Sequence, residues 1–157
     1  MTEEPLSSAS ERVRDLLEAV SAGLGLDADV RVEERPGEID ATFVGDDMGL
    51  LIGRHGQTID AVQHLAYKAA VHGRTEPCRV TVDAAGYRER RRAVLTRQAD
   101  QAAADALDTG APVALEPMNA GERKLVHEYL KDRAGVETYS EGSDPDRHLV
   151  VAPLRST

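Results

Sequence analysis

The chain has 157 residues, of which 41% are hydrophobic and 30% charged, which excludes both a disordered chain and a large multidomain enzyme. No apolar run reaches the roughly 20 residues of a membrane span, no signal peptide is recognisable, and the single cysteine excludes a disulfide framework, so we expect a cytoplasmic protein with no membrane span, cofactor or metal site. The formal net charge of -9 disfavours a polyanionic partner for the chain as a whole, but residues 49–99 carry nine Lys/Arg against four Asp/Glu.

The first third of the chain predicts one helix and two strands. Between Ser8 and Leu24, Val13 and Leu17 belong to an apolar series at helical spacing, and the glycines that follow are expected to end the helix. Apolar and polar residues then alternate on both sides of the turn sequence at residues 35–37. This pattern predicts an antiparallel two-stranded ribbon.

The middle of the chain predicts two helices joined by a glycine-bounded loop, and then a third strand. A short apolar run at residues 48–52 ends at the loop sequence GRHG, and a longer helix with apolar positions such as Ile59 and Val62 follows. Alternation through Val80 and Val82 predicts the third strand. The predicted order is therefore helix, strand, strand, helix, helix, strand.

The last part of the chain predicts a long helix and a small α+β unit. Residues 87–108 contain no proline and are rich in strong helix formers, which predicts a helix of about 20 residues. Beyond it we expect a short strand at residues 113–115, a helix that begins with a capping box at Asn119 and ends near Gly135, and a hairpin around residues 141–145.

These elements group into three parts. We predict a first domain at residues 8–85, a connecting helix at 86–110 and a second domain at 111–157. The fold class is α+β.

The loop at residues 53–56 is the first candidate site. A bare GxxG pattern occurs by chance about once in a chain with 13 glycines, so its setting between two predicted helices carries the information. Glycines without a Cβ let backbone amides approach a sugar-phosphate chain, and the N-terminus of the next helix adds partial positive charge. In this order of elements the loop is typical of a KH domain, which binds single-stranded nucleic acid. The alternative is an ordinary helix-to-helix turn.

Other phosphate-binding and catalytic patterns are not found in the sequence. A P-loop that began at Gly49 would need glycine, lysine and then serine or threonine from position 54, where the chain has Arg54. The histidines are not at zinc-ligand spacing, and no HExxH, GxSxG or SxxK motif occurs. We therefore predict no catalytic residue.

The second candidate is a basic stripe on the helix that begins near Asn119. Arg123, His127 and Lys131 recur every four residues along one edge of this helix, with Lys124 beside them. Such a stripe can bind phosphate, and the histidine can stack on a base. The alternative is a solvated face on which His127 packs against the sheet edge.

The third candidate is the arginine run at residues 88–92. Cations near a helix N-terminus are mildly unfavourable, so their placement suggests a use. Arg88 and Arg91 are candidates to support nucleic-acid binding, as are Lys124 and Lys131. The alternative is that the run pairs with the acidic N-terminal helix.

Four segments of the chain together resemble one bacterial family. They lie at residues 51–63, 82–91, 118–127 and 140–147. Over about residues 8–154 the chain resembles the Jag proteins, also called SpoIIIJ-associated or KhpB proteins. These proteins join a KH domain to a second domain called R-three-H, named for an arginine and a histidine with three residues between them.

The resemblance implies a type II KH domain, joined by a long helix to a small α+β R-three-H domain. It implies a cytoplasmic protein without enzymatic activity that binds single-stranded RNA as an RNA chaperone or post-transcriptional regulator, linked to cell-envelope growth. It also implies a small KH-only protein as a partner, and a homo-oligomer is left open. The residues that the resemblance places at the RNA are Gly53, Arg54, His55 and Gly56 in the KH loop, and Arg123 and His127 in the R-three-H helix.

Two further expectations follow from the sequence. The family's N-terminal Jag-N domain is not recognisable in the chain, so functions of that domain are not expected here. Replacing Gly53 and Gly56 together by aspartate is expected to abolish RNA binding and to leave the fold intact. The competing hypothesis is a protein-interaction module with incidental RNA binding.

Overall fold

The computed structural model describes residues 5–155 and contains two compact units, one up to Glu89 and one from Arg90 onward. The elements in chain order are α1 (Ser8–Gly23), β1 (Asp29–Arg35), β2 (Glu38–Val44), α2 (Gly49–Ile52), a 3-10 turn (Arg54–Gly56), α3 (Gln57–Val71), β3 (Arg79–Ala84), α4 (Tyr87–Thr109), β4 (Val113–Ala114), α5 (Ala120–Leu130), β5 (Val136–Glu141) and β6 (His148–Pro153). This order confirms the α+β fold class. None of the helices in residues 5–155 has the length and apolar composition that crossing a bilayer requires.

The first unit is built on a three-stranded sheet in the order β1-β2-β3. β1 pairs antiparallel with β2, and β2 pairs in parallel with β3, so β2 is central and β3 lies at an edge. The αββααβ order with this topology confirms the predicted type II KH domain.

The core of the first unit follows from the period-two pattern of β2. Ile39, Ala41 and Phe43 are each 1% exposed, and the polar residues between them are half-buried. α1 and α3 pack on this sheet through Leu17 and Ile59, which are both fully buried. The apolar periodicity of the sequence therefore places the right residues in the core.

Arg12 of α1 ties this helix to the C-terminal end of α3. Its Nε donates to the carbonyl of Ala69 at 2.8 Å, and its Nη2 donates to the carbonyls of Ala70 and His72 at 3.2 and 3.3 Å. The last carbonyls of a helix have no intrahelical partner, and a cation there is favoured by the helix dipole. Arg12 therefore caps α3 from a neighbouring helix.

The second unit packs two helices on a sheet in the order β4-β6-β5. β6 is central, and Val151 is fully buried at its middle. The α4 residues that enter this core are Leu95, Ala99, Ala102, Ala103 and Ala106. The helix is therefore part of the second core from Leu95 onward, which differs from the prediction of a separate connecting helix.

α5 begins as expected and ends earlier than expected. Asn119 caps it by accepting a hydrogen bond from the Glu122 N–H at 2.9 Å. The helix ends at Leu130, because the Arg133 N–H bonds the Leu130 carbonyl in a tighter turn and the Arg133 side chain pairs with Asp100 of α4. Hydrogen bonds from Arg133 and from Tyr129 hold the pKa of the Asp100 carboxyl below its ordinary value.

Replacing Arg12 by alanine should destabilise the first unit by about 1 to 3 kcal/mol, because three helix-end carbonyls lose a charged donor. The measurement is the opening free energy of core amides in β2 by native-state hydrogen exchange. Arg31→Ala, on the exposed face of β1, is the matched control and should change this value by about 0.5 kcal/mol or less. Equal values for the two variants would show that Arg12 does not cap α3.

Candidate nucleic-acid interface

The glycine-bounded loop of the first unit turns sharply between α2 and α3. The Gly53 N–H ends α2 by bonding the Gly49 carbonyl at 2.9 Å, and the Gly56 N–H bonds the Gly53 carbonyl at 3.3 Å. Both glycines have a positive φ, +72° and +78°, which L-residues with a Cβ rarely adopt. The loop therefore leads directly into the N-terminus of α3, where Gly56 is the N-cap.

Neighbouring side chains leave no space for a Cβ at either glycine. A Cβ at Gly53 would lie 2.2 Å from Thr58 Oγ1, and a Cβ at Gly56 would lie 2.6 Å from the ring and hydroxyl of Tyr87. The Tyr87 ring packs against the first core, so it has little space in which to move. The expectation that a Gly53/Gly56 double aspartate variant keeps its fold is therefore wrong.

The two central loop residues are the ones that face solvent. Arg54 and His55 are both exposed, and His55 adopts the left-handed conformation at φ 53°. The first N–H groups of α3 follow immediately, and the end of a helix dipole adds partial positive charge there. The loop thus combines close backbone approach, one full positive charge and a helix N-terminus, which suits a phosphate group.

Arg88 is placed differently from the loop residues. Its Nε donates to the Val82 carbonyl at 2.8 Å, its Nη1 to Asp60 at 2.9 Å and its Nη2 to Gln63 at 2.9 Å. The Arg88 N–H donates to Asp83 at 3.2 Å. This side chain therefore fastens the start of α4 to β3 and α3, and the structure gives no support to a phosphate contact by Arg88.

In the second unit Arg123 is largely buried. Its side chain is 13% exposed, and its Nη1 donates to the Met118 carbonyl at 2.6 Å and lies 3.5 Å from Asp144 Oδ1. The arginine of the Arg-x-x-x-His motif thus holds the segment before α5 and the loop of the β5–β6 hairpin.

His127 is exposed on the same helix. Its Nδ1 lies 2.5 Å from Thr138 Oγ1, a hydrogen bond that orients the ring against β5. The second ring nitrogen is then directed away from this bond and is the atom suited to a ligand. Of the two motif residues, His127 is therefore the one that faces solvent.

The other three basic candidates differ from one another. Arg91 Nε donates to Glu122 at 2.7 Å, and both side chains are about 85% buried. Lys131 lies 3.8 Å from Glu128, and its side chain is 59% exposed. Lys124 is exposed. Arg91 therefore stabilises the packing of α4 with α5, whereas both lysines remain candidates for RNA contact.

Sequence reasoning did not assign a role to Tyr87, Thr58 or Gln63. All three residues lie inside segments that carry the family resemblance, which is the only signal in the sequence that points to them. Their functions depend on contacts in space that spacing along the chain does not show. Within the arginine run, Arg88 pairs with Asp60 and Arg91 with Glu122, and neither carboxylate belongs to the N-terminal helix.

Comparison with known proteins agrees with this architecture. Residues 10–83 match the family model described as the KH domain of KhpA/KhpB, and residues 93–153 match the model of the R-three-H domain. The fold and the loop therefore define a protein that joins a KH domain to an R-three-H domain.

Three relatives match this chain over most of its length. The chain is 43% identical over 138 residues to the RNA-binding protein KhpB of Lactiplantibacillus plantarum, 35% over 147 residues to that of Clostridium symbiosum and 33% over 154 residues to that of Bacillus subtilis. These matches cover 88%, 92% and 97% of this chain. The chain belongs to the KhpB family. It spans 43%, 66% and 72% of the lengths of these relatives.

Replacing Gly56 by alanine should destabilise the first unit more than replacing Gly73 by alanine. Both glycines have a similar positive φ, but only at Gly56 would the new Cβ meet another side chain. The shared conformational cost is about 1 to 2 kcal/mol, and the collision with Tyr87 should add about 1 to 3 kcal/mol. Hydrogen exchange of amides in the first core measures the loss of stability in each of the two variants. Equal losses in Gly56→Ala and Gly73→Ala would show that Tyr87 moves aside freely.

Replacing Arg123 by methionine should destabilise the second unit by about 1 to 3 kcal/mol, because a buried donor to the Met118 carbonyl is lost. Lys124→Met is the matched control, since it removes a neighbouring positive charge that is exposed. The measurement is the opening free energy of α5 amides in each of these two variants, by native-state hydrogen exchange. An unchanged value for Arg123→Met would mean that its guanidinium is free to serve a ligand.

Proposed function

We propose that this protein binds single-stranded RNA through the KH loop and acts, without catalysis, as an RNA chaperone or post-transcriptional regulator in the cytoplasm. The observation that carries the proposal is the loop geometry, in which two glycines held at positive φ present Arg54 and His55 at the N-terminus of α3. The family supports it, because the named relatives are RNA-binding proteins.

The loop would hold the sugar-phosphate backbone and not the bases. Backbone amides next to glycine approach phosphate oxygens closely, and Arg54 adds a charge-assisted hydrogen bond. A KH loop of this kind clamps about four nucleotides. With so few phosphate contacts we expect binding on the order of micromolar that weakens as salt rises.

The second domain would assist through α5. The exposed basic residues are Lys124 and His127 on α5 and Lys131 directly after it. Arg123 would position this helix and not contact the RNA. A small KH-only protein as partner and a role in cell-envelope growth are further parts of the proposal that rest on the family alone.

The test replaces both central loop residues by aspartate, Arg54→Asp with His55→Asp. Both side chains are exposed, and aspartate tolerates the left-handed conformation at position 55, so the fold should be kept. RNA affinity should fall more than about tenfold, because one phosphate contact is lost and two negative charges face the backbone. Fluorescence anisotropy of a labelled single-stranded RNA pool, at about 50 and 200 mM salt, measures the affinity and its salt dependence.

The matched control is Arg31→Asp with His72→Asp, which changes the charge equally at exposed positions outside the loop. It should retain RNA binding to within a few-fold. An equal loss in the control would mean that RNA responds to net charge and not to the loop. Absence of binding by the folded wild type would favour the protein-interaction hypothesis.

A further inference from the structure

The open edge of β3 is not equally accessible along its length. β2 pairs with one side of β3 only. The Val82 N–H donates to Gln63 Oε1 at 3.0 Å, and the Val82 carbonyl accepts from Arg88 Nε at 2.8 Å, so both groups face away from β2. Because alternate residues of a strand direct their backbone groups to the same side, Val80 also directs its N–H and C=O to the open edge.

Gln63 and Arg88 together occupy the edge at Val82. Gln63 accepts a hydrogen bond from the Val82 N–H, and Arg88 donates one to the Val82 carbonyl. A nucleobase edge or an added strand would form the same pair of hydrogen bonds. Arg88 is held there by further bonds to Asp60 and Gln63, both at 2.9 Å. Charge-assisted hydrogen bonds are roughly twice as strong as neutral ones, so a neutral base is a poor competitor for this position.

At Val80 the edge opens into a groove of about 540 Å³, which we call the β3 groove. It is lined by Asp60, Gln63, His64, Tyr67, Cys78 and Val80, among other residues. Tyr67 is 41% exposed, so its ring is available for stacking. The groove follows α3, the helix that begins at the glycine loop, so a base attached to a backbone held at the loop can reach it.

We propose that Gln63 and Arg88 are specificity-determining residues that limit β3 to the recognition of one base, at Val80. This inference rests on the proposed function. The N–H and C=O of Val80 would bind the edge of that base, and Val82 would offer the same pair to the next base if Arg88 and Gln63 did not occupy it. Arg88 thus acts by covering β3 and not by binding phosphate.

The test counts the RNA positions at which binding requires a base. A set of short single-stranded RNAs, each with one abasic nucleotide at a different position, is titrated into wild type and into Arg88→Met. This substitution keeps the apolar stem but removes both the donor to the Val82 carbonyl and the donor that holds Gln63 Oε1 in place, so that a base can displace Gln63 from the Val82 N–H. One additional position should become sensitive in the variant, with loss of that base weakening binding by roughly tenfold. Arg31→Met, the same substitution on the exposed face of β1, should give the wild-type profile.

A measurement on the wild type decides the question if Arg88→Met does not fold. On saturation with RNA, hydrogen exchange of the Val80 amide should slow, whereas exchange of the Val82 amide should not change, because Gln63 already holds it. Equal slowing at both amides would overturn the inference.

The remaining outcomes separate this inference from the proposed function. A folded Arg88→Met variant that binds RNA with an unchanged abasic profile overturns the inference and leaves RNA binding by the loop intact. Wild type that binds no RNA, by contrast, overturns both. If the Arg88→Met variant becomes sensitive to an abasic nucleotide at one additional position, the result supports both the inference and the proposed function.

Discussion

A side chain at Gly53 or Gly56 would collide with Thr58 or Tyr87, and this steric constraint fixes the shape of the glycine loop. Tyr87 is the first residue of α4, and the next residue, Arg88, is bonded to β3 and α3. The same short segment therefore supports the loop from below and covers part of the β3 edge. The shape of the glycine loop and the accessibility of the β3 edge are thus both set by the start of one helix.

The basic middle of the chain is divided between structural and exposed residues. Arg88 pairs with Asp60 and Arg91 with Glu122, each inside its own unit, whereas Arg54 faces solvent in the loop. Arginines in the first turns of a helix are disfavoured by its dipole, and these ion pairs offset that cost. A count of basic residues therefore overstates the positive surface, since an arginine with a carboxylate partner contributes little field to an approaching polyanion.

Hydrophobic periodicity was sufficient to predict the order of elements and the glycine loop, because both are local in sequence. The partners of the arginines were beyond such reasoning, since Asp60 lies 28 residues from Arg88, and Glu122 lies 31 residues from Arg91. The same limit explains the wrong expectation for the double aspartate variant. The glycine pattern indicates close approach to a ligand, but only the structure shows that Tyr87 fills the space below Gly56.

The RNA binding that we propose for a protein with a net charge of -9 must depend on local contacts. At physiological ionic strength the field of an exposed charge is screened over about 8 Å, so in the proposed complex Arg54 would act on nearby phosphates, and distant carboxylates would have little effect there. Elsewhere the acidic surface repels RNA and suppresses non-specific binding. Affinity then depends on the fit at the loop and on the bases that are read. In the proposed function, the closure of the β3 edge at Val82 by Gln63 and Arg88 would therefore matter more than it would in a strongly basic protein.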